Sequence, residues 1–211
     1  LGVLIGGRLG WVLLYNLGPS LRDPLSIIQV WKGGMASHGG FVGVLLAGWI
    51  VARKAGMSLA RLSDILATLT PPGLLLGRIA NFINGELWGK VSDASWAVIF
   101  PASAPFGTPL SQIPPRHPSQ LYEAGLEGAV MLIYTQLRFW KSDVTARPGM
   151  LSGEFLALYG LLRVLGEFFR EPDAGLILGM SRGIFYSIVL MAAGLGVMVL
   201  ARPGNPKPKS L

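Results

Sequence analysis

The chain has 211 residues, of which 51% are hydrophobic and only 14% charged, and its mean hydropathy is +0.52. A soluble domain carries about 25% charged residues, so this composition sets aside a water-solvated globule and points to a chain bathed largely in lipid. The net charge of +7 falls in short clusters between apolar segments, which speaks for membrane orientation over nucleic-acid binding. With no cysteine, a disulfide framework, a thiolate nucleophile and a cysteine-ligated metal are excluded. His38 and His117, its two histidines, are a poor basis for a zinc site.

Six apolar segments follow one another: Leu1–Leu17, which contains Arg8; Ser37–Ala52; about Leu62 to Gly85, interrupted at Pro71-Pro72; Ser119–Trp140; Met150–Phe169; and Gly183–Ala201. Each is read as a membrane span of roughly 20 residues. The expected fold is therefore all-α, a polytopic transmembrane helix bundle with six spans visible. A single integral membrane domain is expected over 1–202, with a disordered cytoplasmic tail at 203–211. The chain opens at Leu1 within an apolar run and without methionine, and is read as truncated at its N-terminus, with no cleavable signal peptide in view. The glycines Gly6, Gly7 and Gly10 do not follow a strand, so helix packing is a better use for them than dinucleotide binding.

Basic clusters follow every second segment: Arg53, Lys54 and Arg61; Arg138, Lys141 and Arg147; Arg202, Lys207 and Lys209. The positive-inside rule puts these ends in the cytoplasm. The longest connector, residues 88–118, then lies outside. Its sequence "FPASAPFGTPLSQIPPRHP" is too rich in proline to be helical throughout, and an irregular or short-stranded periplasmic excursion is expected.

Charge inside an apolar segment costs roughly 2.5–3.5 kcal/mol on insertion scales, so each such residue needs a reason. His38 lies between glycines in "GGMASHGGF"; it suits a general base or a packing role. Arg78 and Asn81 share a helix face that Gly85 continues. That face suits an anionic oxygen such as a lipid phosphate, or pairing with a glutamate of a neighbouring helix. Asn-Gly then signals a turn, leaving Glu86 and Trp88 at the outer interface. Glu123 and Glu127, four apart, are natural partners for Arg78, Arg163 or Arg8, a structural role. Tyr159, Arg163, Glu167 and Arg170 form one polar stripe, either an internal ion-pair ladder or part of a site. The orientation places His38, Arg78, Asn81, Tyr159, Arg163 and Glu167 at one depth in the outer leaflet. A functional cavity for a lipid headgroup explains that coincidence better than scattered ion pairs do.

Four blocks, "GGMASHGGF", "GRIANFINGELWGK", "RHPSQLYEAGLEG" and "YGLLRVLGEFFREPD", resemble in order the bacterial prolipoprotein diacylglyceryl transferases. The resemblance spans nearly the whole chain. It implies transfer of the diacylglyceryl group of phosphatidylglycerol to the thiol of the lipobox cysteine in a prolipoprotein signal peptide, forming a thioether and releasing glycerol phosphate. No cofactor, metal or nucleic acid is implied. The implied setting is the bacterial inner membrane, with the site toward the periplasmic leaflet. A seventh span, with a tyrosine motif, would precede Leu1. By resemblance, His38 and Arg163 are catalytic candidates and Arg78, Asn81, Glu86 and Gly89 substrate-binding ones; Tyr159 and Glu167, on the Arg163 face, join the catalytic candidates, and Arg170, on the same stripe, the substrate-binding ones. Ala80 stands where the family usually has glycine, "MSRGIFYS" replaces a typical "MGQ" stretch, and the outer connector is short. The rival readings are a phospholipid transporter or flippase using the same cationic layer, and a structural membrane subunit.

Overall fold

A computed structural model describes residues 1–171 and 177–201, which form α-helices joined by short 3-10 turns and isolated bridges. The expected tail at 203–211, with the basic residues after the last segment, lies outside the described residues. The helices are α1 (Gly2–Tyr15), α2 (Leu17–Arg22), α3 (Ser37–Lys54), α4 (Leu59–Ile83), α5 (Ser119–Glu123), α6 (Met131–Lys141), α7 (Met150–Glu167) and α8 (Arg182–Leu200). A π-helical stretch, Ala124–Val130, carries α5 into α6 without a break. The six apolar segments thus correspond to helical segments near their expected positions. Among the described helices α8 is the one long and apolar enough to cross a bilayer by itself; α1 is apolar but shorter.

The chain divides into two compact units, Leu1–Leu62 and Ser63–Leu211. In the first, α1 and α3 touch backbone to backbone. A Cβ added at Gly10 would lie 2.7 Å from the Cα of Gly39, and one at Gly2 would lie 2.8 Å from the Cβ of Ala47. Glycines four residues apart on both helices allow this approach, which replaces side-chain interdigitation by direct van der Waals contact. Buried Arg8 faces the segment between α2 and α3: its Nε donates to Ile27 O at 2.9 Å and its Nη1 to Gly34 O at 3.0 Å. It also donates to the carbonyls of Gly33 and Ser26 and stacks on Trp11. Four carbonyls around one guanidinium explain a charge in an apolar helix: it satisfies backbone acceptors of a segment with little regular structure.

In the second unit, α4 runs unbroken through Pro71 and Pro72, which corrects the expected interruption there. Proline removes an i→i−4 hydrogen bond and so frees a carbonyl. The carbonyl freed by Pro72 is that of Thr68, and the Gln136 side chain of α6 donates to it at 3.1 Å. A neighbouring helix thus supplies the donor that the ring lacks. At the start of α7, buried Asp64 of α4 accepts from the backbone N–H groups of Gly149 and Ser152, both at 2.8 Å. These are orphan donors at a helix N-terminus, where a carboxylate also complements the helix dipole. Helices α7 and α8 pack closely through Gly153, Gly160 and Gly194; a Cβ at Gly194 would stand 2.6 Å from Gly153 O. Gly128, in the π stretch, meets Leu75 of α4 as closely, at 2.7 Å.

The excursion at 88–118 is irregular, as expected. It is held by bridges between Val91 and Arg116, Val98 and Arg116, and Gly89 and Arg170. The last of these ties it to the C-terminal end of α7.

Candidate active site

Three arginines and three glutamates from separate stretches of the second unit meet in one cluster. Glu123, fully buried at the end of α5, is its centre: Arg78 Nη1 lies 2.9 Å from Oε2, Arg163 Nη1 2.6 Å from Oε1, and Arg170 Nη1 3.3 Å from Oε1. Glu127, also fully buried, lies 3.2 Å from Arg78 and 3.6 Å from Arg163. Arg163 Nη2 reaches Glu167 at 3.0 Å, one turn along α7. The two central carboxylates project from the junction of α5 with the π stretch, whose wider turn keeps residues four apart facing the same way. π insertions of this kind often mark functional sites.

Glu167 is held from a second side as well. Ser181 Oγ donates to it at 2.7 Å, and Gly183, in the first turn of α8, lies so close that any Cβ there would strike the carboxylate. The same Ser181 hydroxyl accepts from Ile184 N at 3.2 Å, capping α8. The N-terminus of α8 is thereby fastened to the cluster.

Of the alternatives left open for Arg78 and for the α7 stripe, the ion-pairing ones are present. The Arg163–Glu167 ladder exists, and so does pairing of both arginines with glutamates of a neighbouring helix. The carboxylates of Glu123 and Glu127 are sealed, with no side-chain exposure, whereas Arg78 and Arg163 keep 16% and 14% of theirs. The acids are thus sealed at the centre of the cluster, and what exposure the central pairs keep belongs to the arginines. An arginine fork presents up to five donors, enough to serve a carboxylate behind and an anion in front. Removing one partner from a buried pair of this kind costs about 3–5 kcal/mol, so the geometry is strongly held.

Tyr159 lies one turn before Arg163 and stacks on Phe155 with ring centroids 6.0 Å apart. At the end of α4, Asn81 donates through Nδ2 to Glu86 Oε1 at 2.8 Å, and Asn84 does so at 3.3 Å. These two amides, Asn81 foremost, hold the Glu86 carboxyl below its ordinary range. Gly85 at φ +66° and Leu87 at φ +58° make the turn. Its carbonyls are met from α5: Gln120 Nε2 donates to Glu86 O at 2.6 Å and Ser119 Oγ to Leu87 O at 3.1 Å. Gly89 is buried where the excursion crosses the end of α7. Its N–H donates to His117 O at 3.0 Å, and Lys90 N donates to Phe169 O at 2.9 Å. His38 stands exposed in the first turn of α3, in the first unit, and lines an apolar groove of about 600 Å³ between α1 and α3. The structure therefore joins Arg78, Arg163, Glu167 and Arg170 directly, and places Asn81 and Glu86 together at the end of α4.

Sequence reasoning undervalued Glu123 and Glu127. Their signal was present as two acids on one face of an apolar segment, but their central position depends on contacts 40 and 49 residues away in sequence.

The model of the family described as prolipoprotein diacylglyceryl transferase matches residues 1–200. The phosphatidylglycerol–prolipoprotein diacylglyceryl transferase of Rhizobium leguminosarum is 46% identical over 207 residues, covering 96% of this chain and 71% of the relative. That of Bradyrhizobium diazoefficiens is 47% identical over 215 residues, covering 99% and 73%. That of Rhodospirillum rubrum is 45% identical over 210 residues, covering 98% and 74%. A match along almost the whole chain, joined to the arginine cluster built from the quoted motifs, establishes that the chain belongs to the prolipoprotein diacylglyceryl transferase family of membrane enzymes.

Proposed function

We propose that this protein transfers the diacylglyceryl group of phosphatidylglycerol to the lipobox cysteine thiol of a prolipoprotein, forming a thioether and releasing glycerol phosphate. The reading is supported by the names of the relatives and by one observation above all: Arg78 and Arg163, from different helices, share the same two buried carboxylates while each keeps part of its own side chain exposed.

In this reading the phosphodiester sits on the exposed edges of Arg78 and Arg163, with Arg170 behind them. The thiolate is the nucleophile, because a neutral thiol attacks carbon poorly. His38 is the base candidate for the thiol, Tyr159 faces the reacting region from α7, and Glu167 orients Arg163. Asn81, Glu86 and Gly89 shape the rim where α4 gives way to the excursion. The chemistry belongs in the outer leaflet of the inner membrane, with six spans in this chain. At 1.5 Å per residue α4 is about 37 Å long and α3, α7 and α8 about 27–29 Å, lengths that suit a hydrocarbon layer about 30 Å thick.

The test is a purified enzyme given phosphatidylglycerol and a lipobox peptide. The wild type should add the mass of diacylglycerol to the peptide. Arg78→Ala and Arg163→Ala should still insert, with lowered stability, and lose transfer, and Arg78→Lys should also be impaired, since a point charge does not reproduce the fork. Full activity in both alanine variants would refute the assignment. Movement of intact lipid without peptide modification would favour a flippase.

A further inference from the structure

We propose that Glu127, together with Glu123, is a positioning residue that limits the cationic pull of Arg78 and Arg163 and so sets how readily the phosphate product leaves; this rests on the headgroup reading above. The argument is one of charge. Arg78, Arg163 and Arg170 carry three positive charges, and Glu123, Glu127 and Glu167 carry three negative ones. The cluster is neutral as a whole, although its exposed face is cationic.

The reaction changes the charge that this face must hold. The thiol proton passes to the base, for which His38 is the candidate in the reading above, sulfur forms a bond to the glyceryl carbon, and the carbon–oxygen bond to phosphate breaks, its electron pair going to the phosphate oxygen. A phosphodiester monoanion becomes a phosphate monoester, close to a dianion at neutral pH because its second pKa is about 6. An uncompensated set of three guanidiniums would hold the dianion far more tightly than the lipid monoanion, and product would clog the site. Buried carboxylates directly behind the forks oppose this. They keep the donors oriented for the developing charge while repelling the product across the guanidinium plane.

Glu127 is the better place to test the idea. It pairs with Arg78 at 3.2 Å and Arg163 at 3.6 Å, whereas Glu123 also anchors Arg170 and is the more needed for structure. In Glu127→Gln the amide oxygen can still accept from Arg78, and Arg78 keeps Glu123. What is removed is one negative charge. Charges about 6 Å apart at an effective dielectric near 20 shift a binding constant about a hundredfold, and reorganisation reduces the expectation to about tenfold.

The experiment measures inhibition by glycerol phosphate, a near-dianion, and by glycerophosphoglycerol, a monoanion, on the intact membrane-inserted enzyme, with phosphatidylglycerol binding followed alongside. Glu127→Gln should bind glycerol phosphate about tenfold more tightly, with kcat and KM for the lipid falling together; a merely structural residue would raise KM or lose protein. The wild type should bind the two inhibitors within about threefold of each other, a comparison that stands even where the variant fails to insert. Unchanged or weaker product inhibition in Glu127→Gln, or a wild type strongly preferring the dianion, overturns the proposal. Should Arg78→Ala bind phosphatidylglycerol as the wild type does, the headgroup reading itself fails instead.

Discussion

Gly89 offers a quantitative test of how the excursion is joined to the site. A methyl group placed there would stand 2.5 Å from Phe169 O and 2.6 Å from His117 O. Both obstacles are backbone, so relief requires the two strands of the crossing to separate by an ångström or so. Separation strains the hydrogen bonds Gly89 N→His117 O and Lys90 N→Phe169 O, at 3.0 and 2.9 Å, and the Arg116 Nη1→Gly89 O bond at 3.1 Å. At a net ~1 kcal/mol per bond, Gly89→Ala should weaken the local closure by about 2–4 kcal/mol. Because Arg170 directly follows Phe169 and pairs with Glu123, the loosening should reach the arginine cluster. Hydrogen exchange across residues 88–118 and the end of α7 reads the opening, and peptide lipidation reads its effect; protection should fall about thirtyfold or more at the crossing. Gly125→Ala is the control, since nothing stands within 4 Å of a Cβ there, and it should leave both readouts unchanged. Wild-type protection and activity in Gly89→Ala would refute the idea that this crossing depends on the absence of a side chain.

Gln136→Leu should leave the Thr68 carbonyl without its donor and lower stability by about 1–3 kcal/mol, seen as a lower Tm in detergent. Asp64→Ala, which strips two acceptor contacts from the start of α7, should cost about 1–2 kcal/mol and increase exchange at Gly149 and Ser152. Glu86, whose carboxyl is held below its ordinary value by Asn81 and Asn84, is ionised in its clasp at neutral pH. Its contribution is complete above the ordinary carboxylate pKa and is lost as pH falls through the depressed one. Acid-side melting curves of wild type and Glu86→Gln should therefore converge; curves that stay parallel at every pH would remove the clasp from the account.

Local signals carried much of the fold. Hydropathy placed six helical segments, and the proline-rich composition of residues 88–118 announced irregular backbone. The i,i+4 spacing of Arg163 and Glu167 announced their contact, and the three-residue spacing of Arg78 and Asn81 put both on one face. The rest depended on partners far along the chain. Pro71-Pro72 reads as a break because the donor that rescues it sits on Gln136, 68 residues from the carbonyl it meets. Asp64 looks like an ordinary polar residue until α7, 85 residues later, presents its bare N–H groups. Arg8 reads as a candidate partner for glutamate, whereas its guanidinium is occupied by carbonyls 18 to 26 residues on. In each case the sequence named the polar residue and the fold chose its counterpart.

The glycine faces of α1 and α3 have a mechanical consequence. Helices separated by long side chains can slide and rotate as those chains change rotamer, but two main chains in direct contact have no such bearing. Any tilt of α3 must therefore drag α1 with it, and the segment grasped by Arg8 travels as cargo. His38, in the first turn of that paired blade, inherits its stiffness.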